Sequence, residues 1–95
     1  MNSNMIAINL ENFQQVIIEE SKSRLVLVAF WAEQIPESVA LRDALAQKVQ
    51  PFNEQMLMAS LDCQAQQQIA QQFAIQGLPT AILVKDGQPL DGISG

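Results

Sequence analysis

The chain contains no histidine, no tyrosine and a single cysteine, Cys63. A Ser-His-Asp triad requires histidine, and ordinary zinc sites are built from cysteine and histidine, so the sequence excludes both or nearly so. One cysteine cannot form an internal disulfide, and no EF-hand spacing for calcium is present. We therefore expect no metal and no cofactor; binding of a divalent cation through carboxylates alone is the alternative that the sequence leaves open.

Long apolar runs and clusters of positive charge are also missing. No segment approaches the ~20 apolar residues that span a bilayer. The first four residues show neither the basic region nor the apolar core of a signal peptide. The five basic residues are scattered along a chain of net charge −5, so nucleic acid and membrane surfaces are poor partners. We expect a cytoplasmic protein.

The apolar content that is present, 48% of 95 residues, suffices for one core in a single domain. The most apolar stretch, Leu25–Phe30, is too short for a buried helix and indicates a central strand that is covered on both faces. Trp31-Ala32-Glu33 follows it, and a polar break that contains Pro36 leads into a helical pattern. In a parallel α/β sheet, chemistry usually lies at this carboxyl end of the strand.

The remaining segments alternate between helix and strand. Further strands are predicted over Met5–Leu10, Gln55–Leu61, Thr80–Lys85 and about Gln88–Ser94. Helices are predicted over Leu10–Ser21 with Asn9 as its cap, over Glu37–Gln50, and over Gln64–Phe73. The second helix has an apolar stripe formed by Leu41, Ala44, Leu45, Val49 and Phe52, and Asp86-Gly87 is a hairpin turn signal. The order βαβαβαββ predicts an α/β domain with a central mixed sheet that is flanked by helices.

The stretch from Phe30 to Ser38 resembles the active-site segment of thioredoxin, where the loop reads Trp-Cys-Gly-Pro-Cys. Aligned without gaps, this chain has Gln34-Ile35-Pro36-Glu37-Ser38, so both cysteine positions are lost, to Ile35 and Ser38. Leu78-Pro79-Thr80 and Lys85-Asp86-Gly87 match two further family segments. The resemblance implies a thioredoxin-like fold with Pro79 in the cis form. It also implies a final helix that these 95 residues lack, so we expect a truncated chain or a neighbouring segment outside them.

Within the thioredoxin-like proteins, the chain resembles the N-terminal domain of YbbN-type proteins, also called co-chaperedoxins. The shared features are a degenerate loop, Leu61-Asp62-Cys63 after the third strand, and the segment Gln88–Gly92. The resemblance implies that residues 1–95 are one domain, the N-terminal part of a longer protein with tetratricopeptide-like helices. It also implies unfolded client proteins and chaperone machinery as partners.

The sequence lacks the groups of dithiol chemistry. Exchange needs an attacking thiolate and a second thiol that resolves the mixed disulfide, and the chain has one cysteine. Thioredoxin's buried aspartate before Phe-Trp and its buried lysine on the third strand correspond to Ala29 and Met58. We therefore do not expect a dithiol enzyme.

Cys63 is the candidate redox thiol. It follows a strand at a predicted helix N-terminus, where amides and the helix dipole lower a thiol pKa, while neighbouring Asp62 raises it. The alternative is an inert cysteine that acts as a small buried hydrophobe.

Trp31, Ile35, Leu78 and Pro79 are the candidate client-binding residues, because thioredoxin-like folds bind extended peptides at this loop and beside the cis-proline. The alternative places Trp31 in the core and leaves Pro79 only to fix a turn. We predict a redox-degenerate client-binding module of a co-chaperone, with reversible mixed-disulfide capture by Cys63 as an added role. The rival hypotheses are a thiol-disulfide oxidoreductase that works through Cys63 alone and a structural spacer domain.

Overall fold

The computed structural model describes residues 5–52, 55–73 and 77–94. Its strands are β1 (Met5–Ala7), β2 (Leu25–Trp31), β3 (Met56–Asp62), β4 (Thr80–Lys85) and β5 (Gln88–Ser94). Helix α1 consists of a π-helical stretch, Gln14–Glu20, that continues into an α-helical turn, Ser21–Ser23. Helix α2 spans Pro36–Val49 and is followed by a 3-10 turn, Gln50–Phe52, and helix α3 spans Gln67–Gln72. The predicted order βαβαβαββ is confirmed.

The strands form one mixed sheet in the order β1-β3-β2-β4-β5. Strands β1, β3 and β2 run parallel, whereas β4 is antiparallel to β2, and β5 is antiparallel to β4. The apolar run at Leu25 is the central strand, as predicted. It is covered on both faces, because its interior residues Val26–Phe30 are all buried.

The strand directions give the sheet two different ends. The loop edge is the end where β1, β2 and β3 finish and β4 begins: Trp31 is paired with Asp62, and Phe30 with Thr80. The far edge is the opposite end, where β2 begins and the β4–β5 hairpin turns. Any surface built by the segments after β2 and before β4 therefore lies at the loop edge.

Two apolar clusters cover the faces of the sheet. On one face, α1 and α3 pack over a cluster that includes Val26, Val28, Phe30, Leu61 and Ile69. On the other face, Val49 of α2 packs over Leu27, Ala29, Met58 and Ala81. The predicted apolar stripe of α2 is correct at Val49 and in part at Leu41 and Leu45, but Ala44 and Phe52 are exposed.

Hydrogen bonds from one buried serine close the far edge. Ser21 Oγ donates to Ile17 O at 2.6 Å and accepts the Gly87 N–H at 2.6 Å, and the Asp86 N–H is bonded to Ser21 O at 2.8 Å. Asp86 and Gly87 have φ of 53° and 76°, the left-handed geometry of a tight hairpin turn. The predicted turn is confirmed, and it is attached to the end of α1.

Candidate functional site

The segment between β2 and α2 is organised around the hydroxyl of Ser38. This side chain is 1% exposed. Its Oγ donates to Ile35 O at 2.6 Å and accepts the Ala32 N–H at 3.0 Å, and the Ser38 backbone N–H also reaches Ile35 O, at 2.9 Å. The hydroxyl has no free path to a substrate, because the loop's own backbone uses it. Ser38 therefore shapes the loop and is not placed to act as a nucleophile.

Ile35 lies at the turn of this loop and is half-buried. Its N–H donates to Ala32 O at 3.0 Å, and its carbonyl accepts two hydrogen bonds from Ser38. Both backbone groups of Ile35 are thus satisfied inside the loop. What Ile35 offers to a partner is its apolar side chain, held at a fixed position, with exposed Gln34, Pro36 and Glu37 around it.

Trp31 ends β2 and is half-buried. The guanidinium of Arg42 lies 4.5 Å from the centroid of its ring, and Arg42 Nε is 3.0 Å from Asp43 Oδ1. The buried indole N–H finds no acceptor among the described residues. The ring is therefore fixed between the sheet and a cation from α2, neither wholly in the core nor wholly free.

The peptide bond between Leu78 and Pro79 is cis, which confirms that prediction. Both residues are half-buried, and Leu78 packs against the apolar cluster under α1 and α3. Since Phe30 is paired with Thr80, Pro79 lies just before β4 beside the end of β2, where Trp31 stands. The topology therefore brings the four predicted binding residues to one end of the sheet.

The surroundings of Cys63 differ from those expected. Helix α3 begins only at Gln67, so Cys63 lies in a preceding turn and not at a helix N-terminus. The Cys63 N–H is bonded to Trp31 O at 2.9 Å, and Asp62 Oδ1 accepts the N–H groups of Gln64 and Ala65. These two amides are thus bonded to the Asp62 carboxylate and not to the Cys63 sulfur.

The thiol itself is half-buried against the core cluster. Burial, and then the negative charge of Asp62, raise the pKa of the Cys63 thiol, and a backbone hydrogen bond with Trp31 opposes them. The expected lowering by a helix N-terminus does not occur. Cys63 stays a candidate for thiol chemistry, but its surroundings favour the thiol over the thiolate.

The positions that correspond to thioredoxin's buried aspartate and lysine hold apolar side chains, and apolar residues surround them. Ala29 and Met58 are both buried in the cluster under α2. They lie on adjacent strands, and Ala29 is in register with Ser60, the residue two places after Met58. No titratable side chain replaces the missing pair at these positions. Among the described residues, no three side chains of the metal-ligating types lie together.

Comparison with known proteins agrees with this geometry. The thioredoxin family model matches residues 4–95. The chain belongs to the thioredoxin family. A thioredoxin of Chlorobaculum thiosulfatiphilum is 29% identical over 85 residues, which cover 90% of this chain and 77% of that protein. An uncharacterized protein of Mycobacterium tuberculosis is 27% identical over 93 residues, which cover 98% of this chain and 31% of that protein.

The solved structures show the same thioredoxin fold. The crystal structure of the thioredoxin Mala s 13 from Malassezia sympodialis superposes with a TM-score of 0.79 over 96% of this chain and 78% of that chain. At 24% identity this likeness concerns the fold alone. No helix in residues 5–52, 55–73 and 77–94 has the length and apolar content needed to cross a membrane.

Two loop-edge residues escaped the sequence prediction. The sequence pattern alone assigns no role to Arg42, although it follows buried Ser38 by four residues and so lies on the same side of α2. The sequence pattern predicts Leu10 at the junction of a strand and a helix, whereas it lies in a turn and is 65% exposed. The four-residue spacing from Ser38 is the sequence feature that could have identified Arg42. No sequence pattern indicates the turn that exposes Leu10.

Proposed function

We propose that this thioredoxin-family domain binds extended or unfolded polypeptide at its loop edge. Its binding residues are Trp31, Ile35, Leu78 and Pro79. One observation carries the proposal: the two positions that hold the family's cysteines have become an apolar side chain on a satisfied backbone, Ile35, and a buried structural hydroxyl, Ser38. A loop built in this way presents a contact surface and has no dithiol.

The cellular setting of this proposal is a YbbN-type co-chaperone in the cytoplasm, with unfolded clients and chaperone machinery as partners. The domain would be the N-terminal part of a longer protein with tetratricopeptide-like helices. The Mycobacterium tuberculosis relative supports a modular arrangement, since this chain matches only 31% of it. A spacer domain is the rival, and it predicts no client binding by this chain.

A thiol-disulfide oxidoreductase is the other rival, and the names of the thioredoxin relatives favour it at the level of the family. In this chain the reaction would have to run through Cys63. Its thiolate would attack one sulfur of a client disulfide, forming a mixed disulfide and releasing the other client sulfur as a thiolate. An external thiolate would then attack the client sulfur of the mixed disulfide and free the Cys63 thiolate, and a second external thiolate would release the client thiol, leaving the two external thiols joined as a disulfide. The raised pKa of the Cys63 thiol lowers the thiolate fraction for this reaction.

Binding to a permanently unfolded protein tests the proposal. The probe is reduced, carboxymethylated α-lactalbumin, which has no free thiol, so capture by Cys63 cannot contribute. We expect Ile35→Asp to weaken binding roughly tenfold, because it places a charge where an apolar contact forms. The matched control is Leu90→Asp, which changes an apolar residue, 60% exposed, on β5.

The control should bind as the unchanged chain does. Equal affinities for Ile35→Asp and Leu90→Asp, with both variants folded by circular dichroism, would contradict the proposal and leave the spacer hypothesis. Cys63→Ala should also bind as the unchanged chain does, because this probe offers no sulfur that the thiol could capture.

A further inference from the structure

The charges of the domain are distributed unevenly between the two edges of the sheet. Four of the five basic residues lie on the segments around the far edge, namely Lys22, Arg24, Lys48 and Lys85. The fifth, Arg42, stands near the loop edge, but its guanidinium lies over the Trp31 ring and its Nε is bonded to Asp43. Within the described residues, Arg42 is thus the basic side chain near the loop edge, and it is already engaged.

Carboxylates at the loop edge lack such partners. Asp62 ends β3, and Glu11, Glu33 and Glu37 come after β1 and β2. None of these four carboxylates forms an ion pair within the part of the chain that the structure describes. Glu33 and Glu37 are exposed and stand two residues before and two residues after Ile35. Negative charge that the domain does not neutralise thus borders the apolar contact.

The strand order sets the length of this surface. In the strand order β1-β3-β2-β4, the turn with Leu10 follows β1, Asp62 ends β3, the Ile35 loop follows β2 and Leu78-Pro79 precedes β4. These segments therefore lie side by side along the loop edge in that order. Three strand spacings of about 4.8 Å make a row of roughly 14 Å, the length of four or five extended residues. At the β1 end, Leu10 and residues 64–68 line an open groove of about 390 Å³.

We infer that the loop edge selects extended polypeptide segments in which an apolar residue is flanked by lysine or arginine. This inference rests on the proposed function and names the chemistry of the partner. The apolar residue contacts Ile35 and the cis-proline segment, and the flanking cations face Glu33 and Glu37. Each exposed ion pair adds little binding free energy, but several together strengthen binding and raise the association rate. The same carboxylates repel acidic segments and so disfavour their binding.

Three fluorescent peptides test the inference by anisotropy at low ionic strength. They share the core Leu-Val-Leu and carry two lysines, two serines or two glutamates on each side. The test variant is Glu33→Gln/Glu37→Gln. The matched control is Glu19→Gln/Asp86→Asn, which removes two exposed carboxylates from the far-edge side and changes the net charge equally.

We expect the lysine peptide to bind roughly tenfold more tightly than the serine peptide, and the glutamate peptide to bind most weakly. The Glu33/Glu37 variant should lose about threefold per removed charge for the lysine peptide and nothing for the serine peptide. The control variant should change less than twofold for either. The lysine preference should fade in about 0.5 M salt, where the Debye length is only a few ångströms.

Equal binding of the lysine and serine peptides, with both weakened by Ile35→Asp, would overturn this inference and leave the proposed function standing. An equal loss in the test and control variants would also overturn it, because general attraction to an acidic protein would then suffice. Binding of no peptide, or binding unaffected by Ile35→Asp, would remove the proposed function together with the inference.

Discussion

Two buried serines close the two edges of the sheet in different ways. At the far edge, Ser21 Oγ accepts the N–H of Gly87, 66 residues away, and joins the β4–β5 hairpin to α1. At the loop edge, the bonds of Ser38 Oγ to the rest of the described chain all go to residues within six positions of itself. The first hydroxyl connects distant elements, and the second shapes one loop.

The Ser21–Gly87 and Ser38–Ala32 hydrogen bonds differ both in sequence separation and in burial, so comparing them shows which of the two properties governs stability. The donor that Ser21 satisfies belongs to Gly87, which is half-exposed, so water can replace the hydroxyl. The donor that Ser38 satisfies belongs to Ala32, which is 5% exposed, so water cannot easily reach it. An unsatisfied buried donor costs more than an exposed one. The local contact should therefore matter more than the long-range one.

Ser38→Ala should produce the largest loss of the variants considered. We expect the free energy of unfolding to fall by about 2 kcal/mol, because the Ala32 N–H loses its acceptor in a buried site. Urea unfolding, followed by the fluorescence of the single tryptophan, measures this change. A loss under about 0.5 kcal/mol would show that the loop rearranges to satisfy Ala32, and the fixed position of Ile35 would then be in doubt.

Ser21→Ala should cost about half as much, near 1 kcal/mol, because water can bond to the Gly87 N–H and because the bond from the Asp86 N–H to Ser21 O survives. The same urea titration measures it. Ser23→Ala is the control for both serine variants, since Ser23 is exposed in the same helical turn. A larger loss for Ser21→Ala than for Ser38→Ala would reverse the comparison and make hairpin docking the dominant effect.

Arg42→Ala tests how much the contact between the Arg42 guanidinium and the Trp31 ring stabilises the loop edge. Loss of the cation from the Trp31 ring should cost roughly 0.5–1 kcal/mol and should change the tryptophan emission of the folded protein. Lys48→Ala, an exposed cation near the end of the same helix, is the control and should leave the emission unchanged. Unaltered emission in Arg42→Ala would mean that the contact does not order the ring.

Turn chemistry explains which elements the sequence predicted well. β4 and β5 have the predicted bounds, because Asp86-Gly87 adopts the left-handed geometry that such a pair favours. The predicted Asn9 cap, by contrast, is wrong, because α1 begins only at Gln14 with Phe13 at its N-cap position. In the turn before the helix, the Asn9 side chain accepts the Asn12 N–H at 2.9 Å, and the Asn12 side chain accepts the Asn9 N–H at 2.8 Å. This reciprocal pair ends β1 at Ala7, short of the predicted Leu10.

The sequence predictions fail where a side chain accepts hydrogen bonds from the backbone N–H groups of nearby residues. Asp62 binds the amides of Gln64 and Ala65 and so holds a turn where the pattern predicted the start of α3. The same bonds remove the helix terminus from Cys63. Residue types and spacing told us that the loop had lost its thiols, but only the three-dimensional arrangement showed that Ser38 had been absorbed into the loop's backbone.

The smallest expected effect is the pH dependence that Cys63 adds to stability. Its thiol pKa is raised in the folded chain, first by burial and then by Asp62. The folded state therefore holds the proton more tightly than the unfolded state, whose thiol has a pKa of about 8.5. The stabilisation is complete below the unfolded pKa and is lost as the pH rises through the folded pKa.

Urea titrations at neutral pH and above the unfolded pKa, repeated on Cys63→Ala, isolate this contribution. We expect the unchanged chain to lose more stability than Cys63→Ala between the two conditions, and iodoacetamide to alkylate the folded thiol more slowly than the urea-unfolded thiol at the same pH. Faster alkylation of the folded protein would mean that the loop edge stabilises a thiolate. Ser38 would then be a structural residue of the loop edge and Cys63 a reactive one. That result would support the thiol-capture hypothesis.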